Sequence, residues 1–202
     1  MRPVPEPLRR ALKIGCWAAV LGGLATTSLI WVYNRKYPFG REHCCEKQLG
    51  ISLLNYAAMH GGRFPTGGAT PEASLSLLYP DYLPASVLRG KAYPEGPAKE
   101  LLESGKPLTP ETCGWRYVDG LTLPGWSGTA TSRVALFWDK IGLDHNSGVL
   151  PEGGHSVTFM DAHVQVVKEA DWPRFVVEQQ KAWAAIRRGD EPPVPWVPDD
   201  GF

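Results

Sequence analysis

The sequence predicts an α+β protein: an N-terminal transmembrane helix, an amphipathic helix after it, a small antiparallel β-sheet and a C-terminal helix. Three observations carry this. Residues 14–33, IGCWAAVLGGLATTSLIWVY, contain no charged side chain. Residues 41–60 repeat apolar side chains at spacings of three and four. From residue 115 to 167, short β-rich runs alternate with turn residues, as hairpins do.

The apolar run is long enough as a helix to cross about 30 Å of hydrocarbon. Arg9, Arg10 and Lys13 precede it, and Asn34, Arg35 and Lys36 follow it. Trp17, Trp31 and Tyr33 lie near its ends, where amphipathic rings favour the membrane interface. A cleaved signal peptide is the rival reading, with "ATTS" at 25–28 as its processing site. "LIWVY" continues the apolar run past that point, which favours an uncleaved anchor. The expected layout has a short basic cytoplasmic N-terminus (1–13), a transmembrane helix (14–33), an extracytoplasmic domain (41–188) and a proline-rich tail (189–202). Cys16 opens the apolar run rather than following one, so it does not read as a lipidation site.

"REHCCEKQLGISLLNYAAMH" then forms an amphipathic helix, with Cys45, Leu49, Leu53, Tyr56 and His60 on one side. Glu42, Glu46 and Lys47 are assigned to the other side. Gly61 and Gly62 supply its C-terminal cap. Leu75, Leu77 and Leu78 suggest a short helix closed by Pro80 and Pro84. Residues 85–112 read as loops with one helical turn near residues 99–102.

The strands are "WRYVDGLTL" (115–123), with a turn at Asp119-Gly120, then "RVALFWDK" (133–140), "SVTFM" and "HVQVV". Asp171 and Pro173 open a last helix that ends near Arg188, with Gly189 as its stop. Lysine plus arginine equals aspartate plus glutamate, 21 against 21, so no net charge draws the chain towards nucleic acid. Cys44 or Cys45 could bridge to Cys113 in an oxidising compartment.

"HSVTFMDAH" (155–163) invites a metal or hydrolase reading, with Asp144, His145, His155, Asp161 and His163 as its donors. A two-residue loop at Asp161-Ala162 argues against it. That loop pairs Phe159 with Val164 and Val157 with Val166, making those four a core face. It also sets His155 and His163 on opposite faces, about 16 Å apart. No phosphate loop, dinucleotide fingerprint or nucleophile elbow is present, so neither catalytic residues nor a cofactor or metal is expected. A second reading is a membrane-tethered module that binds glycan or peptide near Trp126, Trp138, His145 and Asn146.

The order of "CCEKQLGISLLNYAAMHGGRFP", "LSLLYPDYL", "CGWRYVDGLT", "VALFWDK" and "HSVTFMDAHVQVV" resembles type IV pilin-like proteins, the pseudopilins of type II secretion. It is most similar to the prepilin-type proteins of planctomycetes and verrucomicrobia, which end in a histidine-rich loop and a "VLFxDGHV" hairpin. Phe159, Asp161, His163 and Val164 match that hairpin, and Asn146 and Gly148 fall in the loop. The resemblance covers about residues 12–170. It implies a pilin-like fold, with the N-terminal helix laid on the sheet, export, and retention at the bacterial inner membrane. It also implies a non-enzymatic structural or assembly role. The implied partners are the lipid bilayer and other pilin-like or secretion-system subunits. The prepilin cleavage motif is not matched: Gly15 is followed by Cys16-Trp17-Ala18-Ala19-Val20, with valine where the family has glutamate. Ala162 stands where the family hairpin has glycine.

Overall fold

The computed structural model describes residues 5–36, 45–123, 131–143, 148–150 and 152–198. The chain divides into two units, residues 1–42 and 43–202. In the first, helix α1 spans Glu6–Lys36. Its stretch Gly15–Tyr33 is the one described segment long and apolar enough to cross a membrane, with a mean hydropathy of 1.5 and none of it buried. Its two threonine hydroxyls are satisfied internally. Thr26 donates to Gly22 O at 2.8 Å and Thr27 to Gly23 O at 2.9 Å, which removes the cost of carrying them into hydrocarbon.

The second unit begins with α2 (Cys45–Met59), α3 (Pro71–Leu75), a 3-10 turn (Ser76–Leu78), α4 (Ala85–Leu88) and α5 (Glu95–Glu103). Four strands follow: β1 (Trp115–Tyr117), β2 (Ala135–Asp139), β3 (His155–Phe159) and β4 (Val164–Val167), then α6 (Trp172–Arg188). The sheet is antiparallel in the order β1-β2-β3-β4. α+β is therefore the observed class.

Local chemistry explains most boundaries. Gly61 and Gly62 have positive φ at the end of α2, and Gly62 N–H caps Ala57 O at 2.8 Å. Thr70 Oγ1 accepts from Ala73 N–H at the start of α3, with Pro71 in the first turn. Gly189 ends α6 in the left-handed conformation, as the sequence predicts. Residues 85–112 hold more helix than expected. Pro94 and Pro97 look like breakers but occupy the start of α5, where proline is tolerated.

The sheet is covered on both faces. On one, Trp115, Tyr117, Phe137 and Thr158 are linked by cross-strand pairing, and α2 lies close. The Gly50 position is so near β3 and its hairpin that an added Cβ would sit 3.0 Å from both Thr158 Cγ2 and Ala162 Cβ. Leu49, Leu53 and Ala57 of α2 are fully buried in the core shared with this face. On the other face, Trp138, Val157 and Phe159 meet α6. Trp138 stacks on Trp183 and meets Trp172 edge-on, and Phe159 meets Phe175 edge-on.

Burial on both sides explains why the polar–apolar alternation of β3 is not matched by an exposed–buried one: Ser156 and Thr158 are buried along with Val157 and Phe159. Glu46 is also corrected. It lies on the buried side of α2, 1% exposed, with Leu49, Gly50 and Leu53 rather than opposite them. The tail is not set apart either: Pro192 and Pro195 are buried, and Val197 joins the core.

Because Gly50 lies against the hairpin, Gly50→Val should destabilise the second unit by about 1–3 kcal/mol in urea unfolding. Adding Ala162→Gly, which vacates the facing methyl, should recover part of that loss. Equal stability of Gly50→Val and the unaltered chain would refute this contact.

Candidate functional site

The closing hairpin differs from the expected one by a single residue. Thr158 pairs with Val164, Val157 with Gln165 and His155 with Val167, and Phe159 N–H donates to His163 O at 3.0 Å. The loop is therefore the three residues Met160, Asp161 and Ala162, not two. Ala162 takes φ 64, the left-handed position that closes such loops. A one-residue slip turns every β4 side chain over. Val164 and Val166 therefore leave the Val157–Phe159 face, and His163 joins it. His155 and His163 share a face after all, four residues apart along β3, or about 13 Å. A shared metal ion remains out of reach of both rings.

Each histidine has a local role. The His163 ring lies flat on Phe159 at 4.3 Å, and its Nδ1 is 2.6 Å from Asp161 Oδ1. The same oxygen accepts His163 N–H at 3.0 Å, an Asx-type turn. Partial burial alone would push the Asp161 carboxyl up, but its hydrogen bonds and charge contact with His163 bring it below the usual range. His155 lies against Trp172 at 4.3 Å and bonds Asp139 O at 2.9 Å through Nδ1.

Asp139 is the polar centre of this end of the sheet. It is 5% exposed and accepts from Ser156 N–H at 3.0 Å and Leu143 N–H at 2.8 Å. Lys91 donates to Leu143 O at 3.3 Å and pairs with buried Glu46 at the start of α2. Lys140 forms a second buried pair with Glu72 at 2.8 Å and also donates to Pro110 O. Among the described residues no group of three or more histidine, cysteine, aspartate or glutamate side chains could hold a metal ion.

Comparison with family models, curated proteins and solved structures finds no match for this chain. The reading of the site rests on its geometry.

That geometry joins Phe159, Asp161 and His163 into one hairpin cluster, with Val164 turned to the α2 side. Trp17, Trp31 and Tyr33 are exposed along α1. Trp138 packs between Trp172 and Trp183 rather than lining an open loop. Trp126, Asp144, His145, Asn146 and Cys44 lie outside the described residues. Cys113 is not bridged to Cys45. Burial pushes the Cys113 thiol up to about 12, and its sulfur faces Leu88 O at 3.3 Å. It is held as a small core residue and not as a nucleophile.

Glu46, Lys91, Asp139 and Gln179 were not singled out by the sequence reading. For Glu46 a signal existed: positions 46, 49, 50, 53 and 57 follow one helical stripe. For Lys91 and Asp139 none did, because their partners are distant in sequence.

Two outcomes follow. Asp161→Asn keeps a side-chain carbonyl but removes the charge facing His163, and should cost about 0.5 kcal/mol at pH 7 at this half-exposed position. A carboxyl held low in the fold contributes above its unfolded value near 3.9, and that contribution fades as pH falls through the lower folded value. The part of the stability gap that comes from the Asp161 charge should thus be present above about pH 4 and be lost in stronger acid. A gap of unchanged size in strong acid would contradict the assignment. For the buried pair, Lys91→Met alone should cost about 3 kcal/mol, while Glu46→Leu with Lys91→Met should lie nearer the unaltered chain than either single change. Additive losses in the double-mutant cycle would show that the pair does not couple.

Proposed function

We propose that this chain is a single-pass protein of the bacterial inner membrane, whose exported α+β domain has a non-enzymatic structural or assembly role in the cell envelope, of the pilin-like kind. The observation that carries the reading is α1, whose stretch Gly15–Tyr33 is charge-free, apolar and unburied, ahead of a second compact unit. The short N-terminal segment carries Arg9, Arg10 and Lys13, which favours its retention in the cytoplasm and so supports a periplasmic position for the larger unit. Partners in this reading are the lipid bilayer and other pilin-like or secretion-system subunits.

The polar groups of the second unit support a structural role. Asp161 and His163 shape the hairpin, Asp139 and His155 tie β2 to β3, and Glu46 pairs with Lys91. Val20 stands in place of the family's glutamate, so membership in a processed filament is not part of the proposal.

Membrane fractionation with protease protection tests it. The chain should stay with inner membranes through carbonate extraction, and protease added to spheroplasts should remove everything beyond α1. A detergent-solubilised sample calibrates the intrinsic resistance of the folded unit. A chain cleaved by protease only after solubilisation would place the domain in the cytoplasm and sink the reading.

A further inference from the structure

The tail after α6 is seated on α6 and β4. Pro192, Pro195 and Val197 are buried, Trp196 and Pro198 are half-buried, and Pro193 and Val194 are exposed. The reach agrees. Arg174, in the first turn of α6, stacks on the Trp196 ring at 3.9 Å. From Gly189 back to Arg174, α6 covers about 22 Å at 1.5 Å per residue. The seven residues from Gly189 to Trp196 reach about 22 Å when extended at about 3.1 Å per residue. The tail thus runs back along α6, and Gln165 of β4 holds its end by donating to Pro198 O at 2.7 Å.

Four of the seven residues 192–198 are proline and have no N–H to donate. The polar anchors of the tail among the described residues are one hydrogen bond and one cation–π contact, and Val197 supplies the buried apolar contact. Such a segment is seated by shape and by tethering, which gives it a high effective concentration, rather than by a strand ladder. Gly189, in the left-handed conformation, and exposed Asp190 and Glu191 link it to α6.

We propose that the groove between α6 and β4 is a docking site for a proline-rich extended segment, occupied in cis by the chain's own tail, and that its partner in trans is the tail of a second copy. The groove already fits this sequence, and exchange between identical chains requires no new surface. The proposal is independent of the envelope role above.

The test uses the full chain in detergent. Pro195→Asp with Val197→Asp removes two buried tail positions and leaves the groove. A labelled peptide of residues 190–198 should bind this variant saturably, and bind the unaltered chain at least about tenfold more weakly because its groove is filled. Adding Arg174→Ala to the variant should weaken peptide binding by about fivefold or more. A variant that keeps its circular dichroism spectrum yet binds no peptide at about 1 mM overturns the proposal, as does equal binding by both chains. If the double change prevents folding, Gln165→Ala with Arg174→Ala decides instead. It alters only partly exposed groove positions and should speed chymotrypsin cleavage after Trp196 by about fivefold. An unchanged cleavage rate overturns the proposal.

Discussion

Gln179 supplies, from a helix, the pairing that strand β2 loses where β1 ends. β1 is only three residues long, and its last ladder contact is Val118 N–H to Leu136 O. Beyond it, the peptide groups at Arg133 and Ala135 face a helix rather than water. The fully buried Gln179 amide accepts from Ala135 N–H at 2.9 Å and donates to Arg133 O at 2.8 Å. That is the two-bond pattern a parallel neighbour would offer. Trp183 completes it by donating to Ala135 O at 2.9 Å. A buried amide or carbonyl left unpaired costs about 1–3 kcal/mol, so α6 can cover this face only because these two side chains satisfy it.

The bulge at Leu136 belongs to the same arrangement. Ala135 pairs with Phe159 and Phe137 with Thr158, so Leu136 is one residue in excess on β2. With α6 pinned at this point, its aromatic side chains Trp172, Phe175 and Trp183 fall over Trp138, His155 and Phe159. On the opposite face Gly50 lets α2 approach Thr158 and Ala162. The sheet is thus held from both sides, and polar residues at its ends serve as connectors: Asp139 for β2 and β3, Lys91 for α2, Lys140 for α3.

The hairpin shows how a small misreading changes a functional argument. A two-residue turn and a three-residue loop both suit "MDAH", because Asp161 can form an Asx turn in either. What separates them is Asp161: a two-residue primed turn needs a positive φ there, whereas the three-residue loop asks it of Ala162 alone, which alanine resists by about 1–2 kcal/mol. In the fold Ala162 does hold it, with its methyl packed against α2 at the Gly50 position. Tertiary contact outweighs local preference, the register moves by one, and His163 turns onto Phe159. In neither register do the His155 and His163 rings come close enough to share one metal ion.

The sequence by itself determined what depends on neighbours along the chain. The charge-free run of α1, the helical stripe of α2, the glycine stops after Met59 and Arg188, and the four strands are all local patterns of polarity and turn chemistry. Tertiary structure decided what depends on partners far apart in the chain. Glu46 is buried because Lys91 meets it across 45 residues, and Gln179 matters because β2 lacks a neighbour 44 residues earlier. The tail reads only as a proline-rich segment until α6 and β4 give its prolines a surface. A charged, amide or proline side chain states its needs locally, but only the fold shows which group meets them.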